Sequence, residues 1–82
     1  MTDNIKKTRR IISIDCRELL PPEPLVKVMT SVENLKDDEA ILMLHRHNPC
    51  SLFPKLEERG LKSDMKEFED GSVEILIWNE NL

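Results

Sequence analysis

Residues 11–44 read IISIDCRELLPPEPLVKVMTSVENLKDDEAILML, and the spacing of apolar side chains along this stretch decides the fold. Ile11, Ile12 and Ile14 surround Ser13 in a β-branched run without helical spacing, as expected of a strand buried on both sides or nearly so. Asp15 to Leu20 form a connection. Pro21, Pro22 and Pro24 then crowd the start of a segment in which Leu25, Val28, Met29, Val32 and Leu35 recur at helical intervals. Proline is tolerated there because first-turn N–H groups have no intrahelical acceptor, and Glu23 interacts favourably with the positive end of the helix dipole. After the polar turn Lys36, Asp37, Asp38, the short and continuously apolar run Ala40 to Leu44 suits a central strand.

Working outward, Ser51 is the N-cap of a second helix, because a start at Asn48 would place Pro54 in the helix interior. Leu52, Phe53 and Leu56 then face inward, Gly60 supplies a left-handed C-terminal residue, and Leu61 folds back over the last turn. Glu69, Asp70, Gly71 and Ser72 contain the Asp-Gly pair that favours a tight primed turn. Beyond it Val73, Ile75 and Ile77 alternate with Glu74, Leu76 and Trp78. The first arm of this hairpin, roughly Lys62 to Phe68, is charged enough to serve as a protected edge strand. The element order is therefore β-α-β-α-β-β. Two β-α-β crossovers of this length place both helices on one face of the sheet, giving an α/β fold of the two-layer α+β sandwich kind. Residues 11–80 form one domain, with residues 1–10 expected to be a flexible N-terminal segment. The opposite sheet face, carrying Leu76 and Trp78, is partly exposed and is either packed by its own side chains or used to bind a partner.

Composition narrows the function. Eighty-two residues leave little room for a deep cavity, while 39% apolar and 34% charged residues support a folded core and exclude disorder. The longest apolar run, Ala40 to Leu44, is too short to cross a bilayer, and no export signal is visible. A net charge of −4, a basic cluster limited to Lys6, Lys7, Arg9 and Arg10, and the absence of tyrosine argue against nucleic-acid binding. Two cysteines, Cys16 and Cys50, cannot make a disulfide framework, so a reducing cytoplasm is expected.

The stretch Ile14-Asp15-Cys16-Arg17-Glu18-Leu19-Leu20-Pro21-Pro22-Glu23-Pro24-Leu25 resembles the signature of the TusA-like, or SirA-like, sulfur-carrier family, in which Cys-Pro-x-Pro follows an Asp-containing connection. It is most similar to a branch of uncharacterised domains with Pro-Pro-Glu-Pro-Leu at this place. The resemblance implies a mixed four-stranded sheet. It also implies that a cysteine at the helix start carries a persulfide to a partner protein, and the residue matching that cysteine is Pro21. Proline has no atom that can hold sulfur. Glu18 departs too, standing where many members have glycine, whereas Pro22 and Pro24 match the family's structural prolines. An anion cradle at this helix start is excluded, since Pro21, Pro22 and Pro24 lack N–H donors and Glu23 adds negative charge.

The remaining reactive residues cluster by topology. Cys16 follows the first strand and His45, His47 and Cys50 follow the second, so neighbouring parallel strands deliver all four to the end of the sheet that ligands prefer. Three functions are open. The four residues are a candidate transition-metal set of thiolate and imidazole, the alternative being histidines that cap a solvent-exposed loop. Cys16 is a candidate displaced sulfur or redox nucleophile, the alternative being a small, partly buried thiol. The favoured expectation is a non-catalytic binding module. It uses the exposed sheet face, or the cleft near Arg17, His45 and His47, to hold a protein partner or small ligand, with no cofactor. Asp15, Glu18 and Glu23 read as solvated carboxylates rather than an acid-base pair.

Overall fold

The computed structural model describes residues 10–79. Six elements follow in order: β1 (Arg10–Asp15), α1 (Glu23–Glu33), β2 (Glu39–His45), α2 (Leu52–Glu58), β3 (Leu61–Glu67) and β4 (Val73–Asn79). The sheet order is β1-β2-β4-β3, with β1 and β2 parallel and β4 antiparallel to both β2 and β3. The mixed four-stranded sheet and the β-α-β-α-β-β order are those expected.

Alternation along the strands separates two faces. Ile14, Ile41, Met43, Val73, Ile75 and Ile77 join Val28, Val32, Leu52 and Leu56 in one buried cluster, so both helices cover the same face. In α1 the residues Pro24, Val28 and Val32 are buried, and Leu25, Met29 and Leu35 pack at the margin of the core. The proline-rich start serves as read: the helix begins at Glu23 with Pro24 in its first turn. Helix α2 caps at Ser51, although no side-chain cap bond forms, and ends at Gly60, whose φ of +72° is the left-handed conformation that glycine adopts freely. Leu61 beyond it is buried.

Three expectations change. β1 is an edge strand: Ile11 is 44% exposed and Ser13 also faces solvent, because only β2 flanks it. Arg10 belongs to β1, its N–H donating to the Asp38 carbonyl at 2.8 Å, so the segment 1–10 expected to be flexible lies, except for this residue, outside the described residues. The β3–β4 connection is not a primed turn, since among the described residues none except glycine has a positive φ. Gly71 N–H donates to the Phe68 carbonyl (3.0 Å), Phe68 N–H donates to the Ser72 carbonyl (2.9 Å), and Gly71 sits at φ +90°. This is a three-residue loop closed by a glycine bulge.

Candidate functional site

Because β1 and β2 run parallel, the loops that leave Asp15 and His45 emerge at the same end of the sheet, and the antiparallel β4 brings the loop of residues 68–72 to that end as well. These three segments form an open cleft lined by Arg17, Glu18, Leu20, Arg46, Asp70 and Ser72. Asp15 and Arg17 give it a fixed corner. Arg17 Nε and Nη2 donate to the two carboxylate oxygens at 2.9 and 2.8 Å, and the Arg17 backbone N–H donates to Oδ1 at 3.0 Å. These bonds hold the Asp15 carboxyl at about 2, well below its ordinary 3.8. Asp70 is fixed in its turn: the backbone N–H and hydroxyl of Ser72 both donate to its Oδ1, at 3.0 and 2.6 Å, and these bonds lower its pKa, as does the nearby Arg17 charge. Among the described residues no carboxylate pairs with Arg46.

The predicted thiol and imidazole residues divide between interior and surface. Cys16 is 0% exposed, and its backbone N–H extends the parallel ladder by donating to the Leu44 carbonyl at 2.7 Å. Burial pushes its thiol pKa up and the Asp15 charge adds to that shift, which Lys27 partly offsets. A thiol so placed stays protonated and sealed, and is more buried than the sequence suggested. His45 lies beside it on the helix-covered face, 3% exposed. Desolvation, then the neighbouring His47, lowers its pKa, and the Cys16 main chain offsets this in part. Its Nδ1 is buried without a partner. His45 is therefore a core residue, not a loop cap.

His47 touches it from outside, the ring centroids 4.5 Å apart and tilted 45°. Cys50 is exposed and unbonded to Cys16. Among the described residues no three histidine, cysteine or acidic side chains converge to hold a metal ion, so the four do not form the candidate ligand set. Of the family-motif positions, Pro21, Pro22 and Glu23 are exposed and Pro24 is buried.

Arg46 is not anticipated by the sequence reading, and Asp70 and Ser72 enter it only as turn residues. The last two carry a legible signal, an aspartate two residues before a serine in a turn. Arg46 carries none.

The chain is thus a two-layer α+β domain with a split β-α-β sheet, a proline-rich opening to its first helix and a polar cleft at the strand ends. The chain belongs to the uncharacterized conserved protein family DUF2249, whose model matches residues 13–79. The fold is similar to the crystal structure of a SirA-like protein from Desulfitobacterium hafniense, with a TM-score of 0.68 and 23% identity over 80% of this chain and 93% of that one. No curated protein matches the chain.

Proposed function

We propose that this domain is a non-catalytic binding module of the cytoplasm that holds its partner by an anionic group in the cleft between Arg17 and Arg46. The observation that carries this reading is the preorganised cleft itself. Arg17 is locked by Asp15, Asp70 is locked by Ser72, and Arg46 stands opposite with no acidic partner among the described residues. A planar guanidinium suits a carboxylate or phosphate, and Leu20, 65% exposed on the rim, offers an apolar contact beside it. Glu18 and Asp70 limit the attraction and favour a ligand with a donor group next to its acid.

Pro21 at the family's sulfur position and the sealed Cys16 both weigh against sulfur transfer. An unpaired, exposed Cys50 suits a reducing compartment. The anionic group has two sources, a free small acid or the carboxylates of a partner protein.

The test is an NMR titration of isotope-labelled protein with potassium phosphate, with free glutamate and with an acidic peptide. Saturable shifts confined to Arg17, Arg46 and the loop of residues 68–72, with affinity near about 1 mM, are expected. Tighter binding of the peptide than of glutamate assigns the source to a protein. Arg46→Ala should remove the response to every probe, and a response unchanged in that variant overturns the cleft reading. A sulfur adduct confined to Cys16 after exposure to polysulfide would overturn the non-catalytic one.

A further inference from the structure

The cleft at the strand ends is lined by charges of both signs, and they are not bonded alike. Arg17 spends Nε and Nη2 on Asp15, so that pair is closed within itself. Arg46 has no acidic partner, and neither Glu18 nor Asp70 stands in an ion pair among the described residues. Asp70 is bonded along one edge only: both bonds from Ser72 go to Oδ1, and Oδ2 accepts none among the described residues. This carboxylate is fixed in direction but not satisfied, and the Ser72 bonds, by lowering its pKa, favour its ionised form.

The register brings the fixed carboxylate to Arg46. The last pair of the β2–β4 ladder is His45 with Val73, so Arg46 and Ser72 leave the sheet side by side, their Cα atoms on the order of 5 Å apart. A β-carbon added at Gly71 would come 4.0 Å from the Arg46 carbonyl, so the loop stays close as it turns. Asp70 Oδ1 is 3.0 Å from the Ser72 nitrogen, which holds the carboxylate within an arginine side chain's reach of Arg46. A plain anion would pair with Arg46 but bring like charge toward Glu18 and Asp70. A plain cation would leave Arg46 alone. A molecule with a carboxylate and an ammonium on one carbon pairs with both sides at once.

We infer that the cleft takes an α-amino acid with an apolar side chain, its carboxylate on Arg46, its ammonium on the open edge of Asp70 and its side chain against Leu20. This rests on the cleft reading above and names its ligand. The Arg46 fork meets a carboxylate through two parallel bonds. An ammonium has three donors, enough to take Asp70 Oδ2 and still reach Glu18. Leu20, exposed and lining the same cleft, supplies the apolar third contact. Because the cleft is open to water, the ammonium adds only what an exposed ion pair adds, about threefold to fivefold in affinity.

The experiment titrates the isotope-labelled whole chain at neutral pH with leucine, with isocaproate, which is the leucine skeleton without its amine, with glycine, and with a peptide of blocked ends carrying adjacent glutamate and lysine. Leucine should bind about threefold to fivefold more tightly than isocaproate, and more tightly than glycine or the peptide. Asp70→Asn keeps an oxygen for the Ser72 bonds and removes the charge, so it should bring leucine down to the affinity of isocaproate. Isocaproate binding as tightly as leucine, an advantage of leucine that survives Asp70→Asn, or glycine equal to leucine would each overturn the amino-acid assignment and leave the cleft reading standing. Tighter binding of the peptide would overturn it too, by moving the paired charges to a partner protein. Absence of saturable binding by both leucine and isocaproate, or binding of both unchanged in Arg46→Ala, would overturn the cleft reading and this inference with it.

Discussion

Ile75 and Leu76 are neighbours on β4 that point to opposite faces, and truncating each to alanine gives a direct test of the two-layer arrangement. Ile75 is 0% exposed and sits in the cluster with Met43 and the helix residues Leu52 and Leu56. Removing its branches strips away their burial and leaves a cavity, at a cost of about 3–4 kcal/mol. Leu76 is half-buried on the open face, so Leu76→Ala forfeits only part of a leucine's burial, about 1 kcal/mol, and leaves a dent that water fills. A domain of this size has about 4–12 kcal/mol of stability in all, and each kcal/mol moves its melting temperature by about 4–8 °C. Ile75→Ala should therefore lower Tm by about 15–25 °C and Leu76→Ala by about 4–8 °C. Thermal melts followed by circular dichroism measure both. Equal losses, or the reverse order, would refute the assignment of the helices to the Ile75 face.

Acid should destabilise the fold through His45. Its folded pKa is depressed below the ordinary 6.5, so the unfolded chain binds the proton more readily; the contribution is intact above about 6.5 and is lost as pH falls through the folded value. Urea midpoints between pH 8 and pH 5 should fall for the native chain and fall less for His45→Gln. The Asp15 carboxyl should titrate at about 2 by NMR and return toward 3.8 in Arg17→Ala. Of the two thiols, Cys50 should react with a thiol reagent in the native protein and Cys16 only after unfolding, since one is exposed and the other buried; prompt modification of both would refute the sealed site.

The architecture was legible because its signals are local. Val28 and Val32 at helical spacing, Ile75 and Ile77 at strand spacing, and Gly60 after the second helix each report their surroundings through immediate neighbours. What was misread depends on distant parts of the chain. Ile11 looks as apolar as Ile14, and only the strand order, with β1 at the edge, leaves it exposed. The Asp70-Gly71 pair favours a primed turn in isolation, but Ser72 captures the Asp70 carboxylate and a glycine bulge forms instead. At the site, Cys16 and its motif neighbours were found by their place after the first strand. The burial of His45 was not, because β2 runs one residue beyond its apolar core and turns that ring toward the helices. Arg46 owes its place to the loop of residues 68–72 beside it, where a β-carbon added at Gly71 would come within 4.0 Å of the Arg46 carbonyl.

The helix-covered face is wholly committed to stability. Its strand residues and the inward residues of both helices form one buried cluster, and a chain of 82 residues has no second core to open around a ligand. Function must then lie on the strand-end loops or on the open face of the sheet. The proline at position 21 fits the same division: it precedes the Pro22 cap of α1 and carries no reactive atom. On the proposed reading, a scaffold that keeps its helix start, seals the nearby thiol and fixes an arginine at the cleft would recognise a partner with no atom at position 21 to pass sulfur to it.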